Sequence, residues 1–188
     1  MKILSAITAI IATRYQMDAA GVEEFVGGLI FGLIKKDDLP EIQKCLKDSE
    51  NLEVQIVNAL ADVSKGDLQD ILKGVQEIGQ ILQELPVDLS DCQGMSGDIA
   101  KIENWASIFS HPTTLITTLT KNLLSNWKDV VAEVSQTSSD YSSADYYKVG
   151  EDVGDLLILS VGPISKASNV TMESVDWSAL QNNLGGLY

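Results

Sequence analysis

The sequence predicts an all-α fold, a single-domain bundle of about six helices followed by an irregular C-terminal arm. Apolar residues recur at three- and four-residue steps along most of the chain, which is the period of an amphipathic helix. No segment alternates polar and apolar residues convincingly, as a half-buried strand would. The 188 residues are 45% hydrophobic and 21% charged, so the chain is able to fold around one core. We predict the bundle at residues 21–162 and the arm at residues 163–188.

Residues 1–20 are predicted to be a signal or targeting segment. Met1-Lys2 supplies a basic start and residues 3–12 an apolar run, with cleavage after Ala12 or near Ala19-Ala20. Arg14 precedes every acidic residue, so an organelle-targeting segment stays open as the alternative. We therefore expect a secreted or extracellular protein, or else one of an organelle lumen. No apolar run is long enough to predict a membrane span.

The first predicted helix runs from about Asp18, as its N-cap, to Lys36, where basic residues suit the C-terminal end of a helix dipole. It is apolar on nearly every side, which favours a position through the centre of the domain. Pro40 then fits the first turn of a short helix that carries Cys45. The apolar residues of the first helix are Phe25, Val26, Leu29, Ile30, Leu33 and Ile34.

Three more helices are predicted in the middle of the chain. One carries an apolar stripe over residues 52–63 and stops at Gly66. The clearest amphipathic helix follows over residues 68–85, where Pro86 is expected to end it. Ser96 is expected to cap the third, which His111-Pro112 interrupts.

The last third of the chain predicts two helices before the arm. Apolar residues hold one face of a long helix over residues 115–134. The serine-rich residues 135–143 then predict a polar loop, and residues 144–161 predict the last helix.

Two pairs of glycines stand one helical turn apart. Gly28 and Gly32 lie in the first helix, and Gly150 and Gly154 lie in the last. Each pair lets another backbone approach closely, at a cost in helix propensity of about 1 kcal/mol per glycine. We expect helix packing within the chain, with these two helices against each other, and subunit association through one pair as the alternative.

The two cysteines, Cys45 and Cys92, each lie near the edge of a predicted helix. A disulfide between them is the simplest interpretation in a secreted domain, and two free buried thiols are the alternative. Their spacing does not match a Cys-x-x-Cys redox pair. One histidine and two separated cysteines also cannot form a usual zinc site.

The composition argues against several classes of function. The formal net charge is −14, which opposes nucleic acid as a partner. His111 is the single imidazole, and its place before Pro112 favours a local role over catalysis. Neighbouring carboxylates such as Glu151-Asp152 diverge by about 100° on a helix, so they are expected to be solvated charges. We predict no catalytic, cofactor-binding or metal site, and hence no enzyme.

Residues 22–162 resemble a group of small secreted α-helical proteins of ciliates, a group with no established function. The resemblance implies the secreted helical class and transfers no site. The residues that carry it are Gly27-Gly28-Leu29-Ile30-Phe31-Gly32-Leu33-Ile34, Cys45, Ile78-Gly79, Leu85-Pro86, Cys92 and Tyr146-Tyr147 followed by Gly150 and Gly154.

Two functions follow from these observations. The first is a non-catalytic structural or interaction protein, whose partners are copies of itself or other protein subunits, built into an extracellular or organellar assembly. The alternative is a carrier of a small apolar ligand such as a lipid, because an aliphatic bundle can enclose a cavity. Asn169 in the predicted arm is the one Asn-x-Ser/Thr glycosylation acceptor.

Overall fold

The computed structural model describes residues 16–164, which form a single all-α domain. Those residues contain eight α-helices, two short 3₁₀ turns at Gln93–Met95 and Ser107–Ser110, and no β-strand. The predicted fold class is therefore confirmed, with eight helices where about six were expected. The helices are α1 (Ala19–Ile34), α2 (Leu39–Cys45), α3 (Ser49–Val63), α4 (Leu68–Asp88), α5 (Ser96–Ala106), α6 (Pro112–Ser125), α7 (Trp127–Ser142) and α8 (Tyr146–Val161).

Helix α1 runs through the centre of the domain, as its apolar sequence predicts. The Asp18 carboxylate caps it by accepting a hydrogen bond from the Gly21 amide at 2.8 Å. Ten of its sixteen residues are buried, and it packs against α8, α2 and α3. Lys35 ends the helix in the left-handed conformation, with φ at 55°.

Gln16 and Met17, which precede α1, also belong to the bundle. Met17 is buried, and the Gln16 carbonyl accepts hydrogen bonds from the hydroxyls of Tyr141 and Tyr146, both at 3.2 Å. The folded domain thus begins before residue 21, where the sequence placed its start.

Helices α3, α4 and α5 form the second part of the bundle, and α4 continues past Pro86 to Asp88. The predicted stop at Pro86 is wrong, because proline forfeits a single backbone hydrogen bond and later amides still find helical acceptors. The Leu89 amide, for example, donates to the Leu85 carbonyl at 2.8 Å.

Ser96 does not cap α5. It is the first residue of the helix, and the N-cap position belongs to Met95, whose side chain makes no capping hydrogen bond. The 3₁₀ turn at Gln93–Met95 leads directly into α5, so that Ser96 already has helical angles (φ −53°, ψ −37°). A serine with helical angles no longer has the extended backbone of a capping residue.

The long helix predicted over residues 115–134 is two helices, broken at Asn126. The Asn126 side chain donates to the Asn122 carbonyl at 2.9 Å, and the Asn122 side chain donates to the Ser160 carbonyl of α8 at 3.0 Å. Polar side chains therefore satisfy backbone acceptors at and near the break. Because α6 and α7 both pack against α8, the bend at Asn126 keeps both buried faces on the same neighbour.

Most of the predicted polar loop at residues 135–143 is helical, since α7 extends to Ser142. Its hydroxyls bond the carbonyl four residues earlier, for example Ser138 to Val134 at 3.0 Å and Ser142 to Ser138 at 2.8 Å. Thr137 and Asp140 are also buried. Tertiary burial thus overrides the weak helix propensity of serine and threonine.

Candidate functional site

Cys45 and Cys92 form a disulfide, with their Cα atoms 5.3 Å apart and 47 positions apart in the sequence. It joins the last residue of α2 to the connection after α4. Beside it, the Lys47 ammonium pairs with the Asp91 carboxylate at 2.8 Å. Both cysteines of the chain are used, which leaves no free thiol for redox or metal chemistry.

The four glycines of the two predicted pairs meet at the contact between α1 and α8. A methyl group added to Gly32 would lie 2.6 Å from the Glu151 carbonyl oxygen, and Gly28 faces the Tyr147 carbonyl oxygen at still closer range. Gly150 in turn faces the Phe25 carbonyl oxygen. These glycine faces are covered within one chain, so they are not available as subunit contacts.

His111 lies at the surface, immediately before α6. Its Nδ1 atom is 3.1 Å from the Ser107 carbonyl oxygen. This contact joins the 3₁₀ turn at Ser107–Ser110 to the start of α6, which is the local role that the sequence suggests.

An open groove of about 360 Å³ runs between α7 and α8, and we call it the acidic groove. Its lining is Asp129, Ala132, Glu133, Asp155, Ile158 and Leu159. Burial, with repulsion from Asp155, raises the pKa of Glu133, and the Lys35 ammonium partly offsets this rise. The Lys35 ammonium forms an ion pair with the Asp155 carboxylate at 2.7 Å. Among the described residues it is the one lysine paired with a carboxylate of this groove, whose lining includes three.

A second pair of carboxylates lies further along the same two helices, outside the groove lining. Burial, and then repulsion from Asp140 and Glu133, raises the pKa of Asp152 to about 7. Asp140 is itself buried, and its carboxylate accepts a hydrogen bond from the side-chain amide of Gln136 at 3.0 Å. The packing of α7 on α8 therefore favours the protonated form of Asp152.

Helices α6 and α7 each expose two large apolar side chains, and we call the exposed surface of these two helices the α6–α7 face. Their exposed fractions are 52% for Ile116, 57% for Leu124, 36% for Trp127 and 44% for Val131. Trp127 and Val131 stand one helical turn apart on α7. Among the described residues the other large, exposed apolar side chains are Val54 on α3 and Val87 on α4.

Lys121 and Lys128 lie on the same two helices and are exposed. Residues 16–164 contain ten lysines, of which eight form ion pairs within that part of the chain, while Lys121 and Lys128 form none. The sequence over residues 104–128 contains no aspartate or glutamate, although the whole chain has 27 acidic residues. This acid-free stretch is the signal in the sequence that could have identified the face.

An apolar cavity lies between α1, α4 and α5. Its volume is about 10 Å³, which is room for at most about one water molecule. The larger spaces, of about 260 to 360 Å³, are open grooves with mixed polar and apolar linings. These dimensions do not suit a lipid enclosed in the described core.

Two more sequence-based expectations concern metals and membranes. Within residues 16–164, no group of three or more histidine, cysteine, aspartate or glutamate side chains is arranged to hold a metal ion. In the same range, no helix has both the length and the apolar character needed to cross a membrane. Asn169 and nearly all of the predicted arm lie outside the described residues.

A family model described as SctB-like, secreted protein B-like, matches residues 5–160. No curated protein and no solved structure matches the chain. The family match and the disulfide are both consistent with a secreted protein.

Proposed function

The chain belongs to the SctB-like, or secreted protein B-like, family, and we propose that it is a non-catalytic secreted protein that binds other protein subunits through the α6–α7 face. The observation that carries this proposal is that two consecutive helices expose four large apolar side chains and carry the two described lysines that have no ion-pair partner. We further propose that the chain is related to secreted proteins of ciliates.

The α6–α7 face has the composition of a protein-binding surface. Burying one large apolar side chain contributes about 1.5–3 kcal/mol, and tryptophan is enriched among the residues that dominate interface energies. Unpaired lysines at the rim are able to pair with carboxylates of a partner without breaking a bond inside the chain. Such pairs favour fast and specific association.

The raised pKa of Asp152 does not point to catalysis. Asp152 packs between α7 and α8 and does not line the acidic groove. Glu133 does line the groove, and burial with repulsion from Asp155 accounts for its raised pKa. Both environments follow from helix packing, which also perturbs pKa values. We propose a binding function for this reason.

The carrier hypothesis receives no support from the described core, since its apolar cavity of about 10 Å³ is far below the 300 Å³ or more that ligand pockets usually have. A protein that acts through its surface needs no such cavity.

The native mass of the protein in the medium of the cells that secrete it tests the proposal. We expect a particle heavier than the 20.3 kDa chain, and we expect Leu124→Ser with Trp127→Ser to release the single chain. The matched control is Val54→Ser with Val87→Ser, which removes two exposed apolar side chains elsewhere and should leave the particle intact. A wild-type protein that circulates as a single chain would refute the proposal.

The predicted arm is a separate route to an assembly and needs its own variant. Ile164 packs against the core, and the Trp105 indole donates to the Gly162 carbonyl at 3.0 Å, so a chain that ends at Ile164 keeps both contacts. If this shortened chain no longer forms the heavier particle while its helical content is unchanged, then the arm is required for assembly. If the particle persists, the α6–α7 face suffices.

A further inference from the structure

We infer that the α6–α7 face of one copy of this chain binds the acidic groove of a second copy, so that two copies form a symmetric dimer. This inference rests on the proposed function and names the partner of the same face.

The charges of the two surfaces are complementary. The acidic groove carries the carboxylates of Asp129, Glu133 and Asp155, and Lys35 neutralises one of them. The α6–α7 face carries Lys121 and Lys128 without partners. Two uncompensated carboxylates thus stand on the same chain as two uncompensated ammonium groups.

A single chain does not make this pairing within residues 16–164. Lys128 and Asp129 are adjacent in α7, so their side chains diverge by about 100° around the helix axis. Glu133 is five residues beyond Lys128, outside the three- and four-residue spacings at which helical side chains meet. Lys128 stands one helical turn before Ala132 and so at the edge of the groove, yet within residues 16–164 it forms no ion pair with Asp129 or Glu133. A lysine from another molecule can pair with these carboxylates instead.

The apolar parts of the two surfaces also correspond. Ile158, Leu159 and Ala132 give the acidic groove an apolar portion beside its carboxylates. The Trp127 indole and the Val131 side chain are the exposed apolar groups that neighbour Lys128 on α7. A large aromatic group seated in such a groove, with a lysine at its rim, combines apolar burial with an ion pair.

The two-fold symmetry of the dimer follows from the positions of the α6–α7 face and the acidic groove. Each chain contributes one α6–α7 face and one acidic groove, and α7 belongs to both. A two-fold axis beside α7 places each face against the groove of the other copy, so the contact is made twice and the assembly closes at two chains.

An anionic membrane is a weaker partner for this face. Each lysine near such a surface contributes about 1 kcal/mol. The net charge of −14 opposes approach to such a surface and to a second copy alike, so the partner has to offer local contacts that offset this repulsion. The acidic groove offers two carboxylates without a lysine partner beside the apolar side chains of Ile158 and Leu159.

Reciprocal charge exchange in the purified full-length chain tests the inference. Sedimentation over a range of concentrations gives the dissociation constant of the dimer. Lys128→Glu alone and Glu133→Lys alone should each raise that constant by about tenfold or more, because each places like charges together. The double variant restores opposite charges across the two-fold contact and should return the constant to within about threefold of the wild type.

Lys44→Glu, which reverses a charge on α2, is the matched control and should leave the constant unchanged. Circular dichroism and chemical denaturation establish whether each variant is folded, and the double variant keeps the test decisive if Glu133→Lys lowers stability. Single variants that weaken the dimer without rescue by the double variant would overturn the pairing.

The same measurements separate this inference from the proposed function. If the purified chain is monomeric at every concentration while the secreted particle still depends on Trp127, then the partner is another protein and the dimer is refuted. Vesicles that contain phosphatidylserine provide the last comparison. Binding of a monomeric chain to them, lost in Lys128→Glu, would overturn the dimer in favour of a membrane surface.

Discussion

Gly154 in α8 lies directly against Gly32 in α1, so that a methyl group added to Gly154 would stand 2.8 Å from the Gly32 Cα atom. Gly28 and Gly150 repeat this relationship one turn away, where each faces a backbone carbonyl of the other helix. The two glycine pairs thus set the distance between the central helix and α8, and the cost of four glycines in helices is offset by this close packing.

Substitution of the glycines tests this packing. Gly28→Ala and Gly150→Ala should each lower the free energy of unfolding by about 1–3 kcal/mol, since the added methyl group meets rigid backbone and outweighs the gain in helix propensity. Chemical denaturation gives the value. Gly97→Ala in α5 is the control, because a methyl group there has no neighbour within 4 Å, and stability should stay equal or rise slightly. Equal effects at Gly28 and Gly97 would contradict the account.

The disulfide should contribute a large part of the stability. With 47 positions between Cys45 and Cys92, the chain-entropy model gives about 4 kcal/mol as the loss on replacing both by serine. Denaturation of the double serine variant and of the wild type measures this loss. A reducing agent should bring the wild type to the value of the variant. If the reductant changes nothing, the cysteines are free thiols in solution.

Stability should fall as the pH rises from about 4 to 7. Burial raises the pKa of Asp152 to about 7 from the ordinary value of 3.8, so the protonated form favours the folded state. The stabilisation is fully present below the unfolded pKa and is lost as the pH rises through the folded one. Because Asp152 is partly exposed, we expect a change on the order of 1–2 kcal/mol after solvent screening.

Two variants distinguish the loss of stability that Asp152 causes from the effects of other titrating groups. Asp152→Asn cannot ionise and should flatten the stability profile between about pH 4 and 7. Asp62 has the opposite sign, because hydrogen bonds from Lys65 and Lys73 lower its pKa. Its stabilisation is present above 3.8 and is lost as the pH falls through the folded pKa, so Asp62→Asn should change the profile below about pH 4 and leave the trend between pH 4 and 7 in place. A profile that Asp152→Asn leaves unchanged would refute the assignment.

The mature protein should begin at or before Gln16. Cleavage near Ala19-Ala20 would remove the buried Met17 and the Asp18 cap, whereas cleavage after Ala12 spares both. Loss of a cap costs about 1 kcal/mol, and loss of a buried methionine costs more. N-terminal sequencing of the secreted protein decides between the two sites. A start at Gly21 in a fully stable protein would contradict this prediction.

Several features that depend only on near neighbours in the chain were predicted from the local sequence. The Asp18 cap, the proline in the first turn of α2 and the apolar stripe of α4 were all predicted, because each acts over one or two helical turns. The all-α class follows from the same short-range periodicity. It also made the two glycine pairs recognisable as contact faces, with the two helices expected against each other.

Tertiary contacts decided the features that local propensity predicts wrongly. Serine and threonine usually favour a loop over residues 135–142, but burial against α8 makes those residues helical. The helix breaks at Asn126, and both α6 and α7 pack against α8. The absence of acidic residues at 104–128 hints at lysines without partners, but only the folded structure shows ion pairs such as Lys35 with Asp155, between residues far apart in the sequence. By itself, the sequence determined the helical class and the apolar faces. Which faces cover one another, and which remain for a partner, depends on contacts between residues far apart in the chain, and only the folded structure decided that.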